Sequence, residues 1–394
     1  MPRPRISTLA QISIVHFVSH VHMLGIPALL PLLPDALGVT FIELGASVSL
    51  FNITSALFQA PVGFIVDRRG ARTVLAGGLG LGAFSFFFLA LFPSYVGLLA
   101  AAAALGIANA VYHPGDYAIL SRAINESVMG KAFSIHSFAG FCGSAATPAL
   151  ATAIALWCSI PAAFAVIGFL AVVALVILCL AQSDETVQKN NAQDAGKQQA
   201  SSPASRAGVW TLTVLALTLL YTLLSLSTAS IERFSASALI EGYGTGLPLA
   251  NTALTAFLVC SAIGVLSGGV LADRTRRHGY VAASAFAVAA VLTGIVARGG
   301  LPPLMLVILF ALIGLLTGII VPSRDMLVRA ASPKGSEGKV FGIVSTGFNI
   351  GGTIGPLLCG FFLDHGMPSL VFTAAALFMV ATVALTWIQE KRRA

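Results

Sequence analysis

Residues 130–150 read GKAFSIHSFAGFCGSAATPAL, and residues 338–358 read GKVFGIVSTGFNIGGTIGPLL. The second stretch lies 208 positions after the first. At that shift Gly130, Lys131, Phe133, Ile135, Ser137, Gly143, Pro148 and Leu150 meet identical residues, eight of 21 positions. Pro114 meets Pro322 at the same shift. Apolar sequence matches itself by chance, but Gly, Lys and Pro in shared register are a stronger sign. The chain therefore reads as two related halves in tandem.

The rest of the chain says what the halves are made of. Hydrophobic residues fill 57% of 394 positions and charged residues 9%, against about 25% charged in soluble domains. Surface of that kind needs lipid as its solvent. A bilayer core takes roughly 20 apolar residues per helix. Runs of that size fall near 9–34, 42–66, 73–93, 95–121, 131–157 and 161–182, then near 209–233, 248–272, 280–297, 303–329, 339–363 and 368–389. This predicts an all-α membrane protein of twelve transmembrane helices, with a six-helix half at 1–183, a cytoplasmic linker at 184–208 and a second six-helix half at 209–394. The basic start, Arg3 and Arg5, precedes a stretch too long for a signal-peptide core, which reads as a retained first span.

Orientation follows from the basic residues. With the N-terminus inside, all of the 22 Lys and Arg residues fall on the cytoplasmic side except Arg233, Arg298 and Arg324, as the positive-inside rule expects. Both termini then lie in the cytoplasm of a multi-pass protein of the cell membrane. The net charge of +7 thus reports topology and not a nucleic-acid partner. Cys142, Cys158, Cys179, Cys260 and Cys359 sit in apolar runs without paired spacing, so they read as small hydrophobes. No resident metal, cofactor or enzyme activity is expected, and no nucleotide-binding motif is present. The expected state is a monomer.

Two loops carry the most specific signal. Residues 63–72 read GFIVDRRGAR and residues 269–277 read GVLADRTRR. Gly63 leaves room for close helix approach, and Asp67 at a helix end can pair with Arg or cap a neighbouring helix. These loops resemble the signature loop of the major facilitator superfamily, the second copy lacking its usual Gly. The resemblance implies two pseudo-symmetric six-helix halves, alternating access, and a cavity lined by spans 1, 4, 7 and 10. It also implies a cytoplasmic latch formed by Gly63, Asp67, Arg68, Gly70 and Arg72 with Gly269, Asp273 and Arg274. Tyr112-His113-Pro114 and the Gly130-Lys131 opening of span 5 are similar to the fosmidomycin-resistance group of exporters. The Gly-Pro pattern of the family's antiporters is incomplete in span 5, at Gly140, Gly143 and Pro148, and fuller in span 11, at Gly347, Gly351 and Gly355-Pro356. Small residues four apart let helices pack closely.

Ionisable residues at membrane depth are costly and mark pathways. His16 and His20 share one face of span 1, while His22 points elsewhere. Asn109, His113 and Asp116 form a stripe on span 4. His136 lies on span 5, Arg324 and Asp325 on span 10, and Asn349 on span 11. Asp116 takes the register position of Arg324 in the other half. One reading gives His20, His113 or Asp116 a coupling proton and Arg324 an anionic group of the substrate. Another makes Asp116 and Arg324 a gate that touches no substrate, with His16, His22 and His136 as ordinary helix-to-helix contacts. Glu232-Arg233 reads as a rim contact at the outer end of span 7, and Asp364 and Glu241 as solvated. The expected function is secondary transport of a small organic, anionic solute or drug, coupled to protons as antiport or efflux. Proton-coupled uptake of an organic acid is the alternative. Metal transport through His16, His20, His113, Asp116 and His136 is a third.

Overall fold

The computed structural model describes residues 6–124, 129–180, 211–275, 277–331 and 337–393. The linker expected at 184–208 lies outside the described residues. Twelve long helices are present among the described residues: α1 Thr8–Gly25, α2 Phe41–Arg69, α3 Ala71–Leu91, α4 Tyr95–Ala123, α5 Met129–Trp157, α6 Ile160–Leu180, α7 Leu212–Tyr243, α8 Leu247–Arg274, α9 His278–Arg298, α10 Pro303–Ala331, α11 Glu337–Asp364 and α12 Ser369–Arg393. The internal repeat extends to their boundaries. Shifting α4 by 208 residues lands on both ends of α10, and shifted α5 starts where α11 starts. Pro114 of α4 and Pro322 of α10 then occupy the same helical position, as do Pro148 and Pro356 in α5 and α11.

Eleven of the helices are long and apolar enough to cross a membrane. The exception is α1, whose Gln11, Ser13, His16, Ser19, His20 and His22 dilute its apolar character. The helix also ends sooner than the expected run to residue 34. It stops at Gly25, followed by a 3-10 turn at Pro27–Leu29 and a short helix at Leu33–Leu37. Pro27, Pro31 and Pro34 account for this, since proline lacks an N–H and clashes with the preceding turn. Helix α7 departs the other way and continues to Tyr243. Glu232 and Arg233 therefore lie within it and not at its end, and Arg233 is buried. Outward-facing Leu91, Phe64 and Trp157 are more than two-thirds exposed, as lipid-facing residues are.

Two compact units result. The first contains described residues 6–29, 50–124 and 129–180, the second residues 30–49, 211–275, 277–331 and 337–393. In the first, α1 packs on α5 and α3 on α4 and α6; in the second, α7 packs on α11 and α9 on α10 and α12. Ile12, Val15, Leu75, Leu79, Leu120 and Ala171 form part of the first core. In the second unit Gly264 of α8 faces Gly318 of α10, while Gly268 lies on the Ile319 backbone of α10 and Gly314 of α10 on the Phe257 backbone of α8. Gly347 and Gly351 of α11 likewise rest against the α7 backbone, as their spacing of four implies. At Gly63 and Gly269, in contrast, an added Cβ would meet nothing within 4 Å. Among the described residues no close approach is seen at Gly63.

The second unit also holds the first turns of α2 against the end of α11. The Phe41 and Ile42 amides, two of the unpaired donors of a helix start, donate to the two oxygens of Asp364, each at 2.7 Å. Further along, Ser49 Oγ donates to the Thr353 carbonyl at 2.6 Å. Asp364 is exposed, as expected of a solvated acid, and it also caps α2, a position favoured by the helix dipole. Asp364→Ala is expected to destabilise the protein by about 1–2 kcal/mol, read as a lower melting temperature in detergent. Asp364→Asn, which keeps one of the two acceptor oxygens, should recover part of the loss. An unchanged melting temperature in Asp364→Ala would show that water replaces the cap.

Candidate functional site

Three helices of the first unit bring their ionisable groups to one place. Helix α1 supplies His16 and His20 one turn apart, α4 supplies His113 and Asp116, and α5 supplies His136, Gly140 and Ser144 along one face. Asp116 is fully buried. Its Oδ2 lies 3.2 Å from His16 Nδ1 and 3.5 Å from His136 Nε2. The His16 ring stacks on His136 at 3.9 Å and sits 4.8 Å from His20 and 5.8 Å from His113. The position of Gly140 explains the packing: a Cβ there would run into the His16 and His20 rings. His20 Nδ1 is 2.8 Å from Ser144 Oγ. Both Asp116 oxygens, His16 Nδ1 and both His136 nitrogens lack a hydrogen-bond partner among the described residues.

The stripe expected on α4 is divided by this arrangement. Asp116 points into the packed histidines, His113 is exposed and lies beside Tyr117, and Asn109 donates to Ser55 Oγ at 2.8 Å. His22 sits apart against Phe86. One ligand atom each from His16, Asp116 and His136 falls within 4.8 Å of the others. That spacing suits sharing a proton and is also of the size that a divalent cation takes.

In the second unit, Arg324 and Asp325 meet partners from other helices. The Arg324 guanidinium lies 5.2 Å from the Tyr221 ring centre and 4.6 Å from that of Phe348, a cation–π arrangement. Its Nε donates to Asp325 Oδ1 at 3.3 Å, and the Tyr221 hydroxyl donates to the same oxygen at 2.8 Å. Arg324 thus finds partners within the second unit, and the histidines nearest Asp116 belong to the first. Nothing in the spacing marks Tyr221 and Phe348, because aromatic residues in an apolar run read as core. Asn349 is half-buried on α11.

The latch residues are described in part. The side chains of Asp67, Asp273 and Arg274 lie outside the described residues. Arg68 is exposed. Gly70 has φ +88° at the start of α3, a backbone conformation that favours glycine. Arg72 ties three helices of the first unit. Its Nη1 donates to the Leu178 carbonyl at 2.9 Å and its Nη2 to Gln11 Oε1 at 2.6 Å.

Twelve helices in a 208-residue repeat, with charged loops at matching places, define a membrane transporter. The chain belongs to the Major Facilitator Superfamily, which it matches over residues 12–240 and 218–394. It is 27% identical to the fosmidomycin resistance protein of Escherichia coli K12, over 99% of this chain and 94% of that protein. It is 36% identical to the multidrug resistance protein MdtG of Proteus mirabilis over 132 residues, 33% of this chain and 32% of that one. The fold is shared with a bacterial homolog of the human lysosomal transporter Spinster, in its inward-facing and unoccupied conformation. There the TM-score is 0.74 at 13% identity, covering 97% of this chain and 96% of the other. The protein is a multi-pass membrane transporter of small solutes and not an enzyme.

Proposed function

We propose that the chain is a proton-coupled antiporter that exports a small organic solute by alternating access. It would work as a monomer in the cell membrane with both termini in the cytoplasm. The observation that carries this reading is Asp116, buried between His16 and His136. An ionised carboxylate in the membrane interior costs several kcal/mol, and an imidazole 3.2 Å away offers a place to pass its proton. The cluster can load and release a proton as its surroundings change. The resistance named in the fosmidomycin and multidrug relatives supports export. Uptake of an organic acid is the second reading, supported by Arg324, whose side chain is 20% exposed.

The test uses proteoliposomes with an imposed pH gradient, and fosmidomycin and a panel of small organic acids as probes. Antiport predicts that solute accumulates on the acidic side and that reversing the gradient reverses the flux. Accumulation on the alkaline side would select proton-linked uptake instead. Flux that ignores the gradient would remove proton coupling. Metal analysis of the purified protein showing a stoichiometric ion at the histidines would replace the proton with a cation.

A further inference from the structure

Arg324 is the cation that the sequence singles out for an anion, yet its Nε is engaged by Asp325 and its faces by two aromatic rings. Arg233 on α7 is different. It is 8% exposed, and its Nε and Nη1 are buried with no hydrogen-bond partner among the described residues. Unsatisfied buried donors on a charged group are expensive and call for an explanation. Ser237, one turn further along α7, and Thr255 on α8 also carry buried hydroxyl oxygens without a partner. Helices α7 and α8 pack on each other and are joined by the short turn at 244–246. Counted back from that turn, Arg233 and Thr255 fall about 15 Å and about 12 Å along their antiparallel helices. The register thus places a guanidinium and hydroxyls with spare donors at similar depth. Glu232 lies within electrostatic range of both Arg233 and Arg324.

We propose that Arg233 is the centre of an oxyanion subsite in the second unit, which takes the carboxylate or phosphonate group of an organic solute. Charged N–H donors suit oxyanions because each hydrogen bond is charge-assisted. The two hydroxyls add donors that a neutral or cationic ligand would use less well. Glu232 acts as the counter-charge that holds the arginines in place when no ligand is bound, and it competes with an incoming anion. The subsite does not depend on a proton at Asp116.

The test is equilibrium binding to the full-length protein in detergent, with no gradient, so failure of proton coupling would leave its outcome intact. Benzoate and phenylphosphonate are the probes, titrated by thermal shift against chloride at equal ionic strength. The unaltered protein should show saturable stabilisation. Arg233→Gln should weaken apparent binding about ten- to hundredfold, the worth of a lost charge-assisted hydrogen bond. Glu232→Gln should tighten binding by removing a like charge beside the anion. Arg298→Gln removes an exposed cation and should change nothing. No stabilisation by either probe overturns the proposal, as does equal binding in Arg233→Gln or equal loss in Arg298→Gln. Should Arg233→Gln fail to fold, Glu232→Gln decides, and unchanged affinity there overturns it.

Discussion

Asp116→Asn is expected to lower gradient-driven transport at least about a hundredfold while leaving the protein folded. The substitution keeps the size and shape of the side chain and removes its capacity to give up a proton. General acid–base groups contribute on the order of 10²–10⁴ to processes that need them, so an obligatory proton carrier should show at least the lower end of that range. Solute exchange without a gradient needs no net proton movement and should survive. The stability readout separates this from a structural role. Asp116 is fully buried, and neither oxygen has a hydrogen-bond partner among the described residues, so neutralising it removes a desolvation cost. The melting temperature in detergent should hold or rise. A clear fall in melting temperature would make Asp116 a structural anchor, and unchanged coupling in Asp116→Asn would move the proton elsewhere. His136→Gln tests the neighbour: if the proton passes between the two groups, coupling should fall there as well, with exchange again preserved.

Two adjacent glycines give the largest contrast in folding. Gly268→Leu should prevent accumulation of folded, monodisperse protein, whereas Gly269→Leu should be tolerated. A Cβ at Gly268 would land on the backbone of Ile319 in α10, while one at Gly269 would meet nothing within 4 Å. Overpacking a core costs about 1–3 kcal/mol when side chains can yield. Backbone atoms of a helix cannot rotate away, so Gly268→Leu should exceed that range. Both substitutions gain the same helix propensity, about 1 kcal/mol over glycine, so their difference isolates packing. The readout is size-exclusion profile and melting temperature after expression of the full chain. Equal behaviour of the two variants would mean that α8 and α10 are not held as closely as their backbones indicate.

These contrasts show where sequence reading stops. His16 and His20 are four apart and were bound to share a face. That His136 of α5 stacks on His16, with Asp116 of α4 against both, depends on how three helices pack. Gly140 is the residue that lets the rings approach, and its effect is invisible until α1 lies against α5. The same limit misplaced Arg233. The apolar run was read as ending near residue 233 because a charged pair looks like a helix boundary. Helix α7 continues because its interior hydrogen bonds are made whatever the side chains are, and packing against α8 and α11 supports it to Tyr243. Asp364 is exposed, as its sequence implies, but its capping role is not legible there, because its partners, the amides of Phe41 and Ile42, are more than three hundred residues away.

The sequence by itself determined the helix count, the tandem repeat, the family and the positions of the charged loops. Each of those rests on local composition or on comparing the chain with itself. Hydropathy over one helix length needs no knowledge of neighbours, and a 208-residue register survives in Gly, Lys and Pro because backbone geometry constrains those residues most. Only the tertiary structure decided which polar groups share a site and which are left without partners. It set Asp116 among histidines, engaged Arg324 with Tyr221, Phe348 and Asp325, and left Arg233 with donors unpaired among the described residues. Burial and hydrogen bonding are properties of pairs of helices, and no single run of sequence contains both members of the pair.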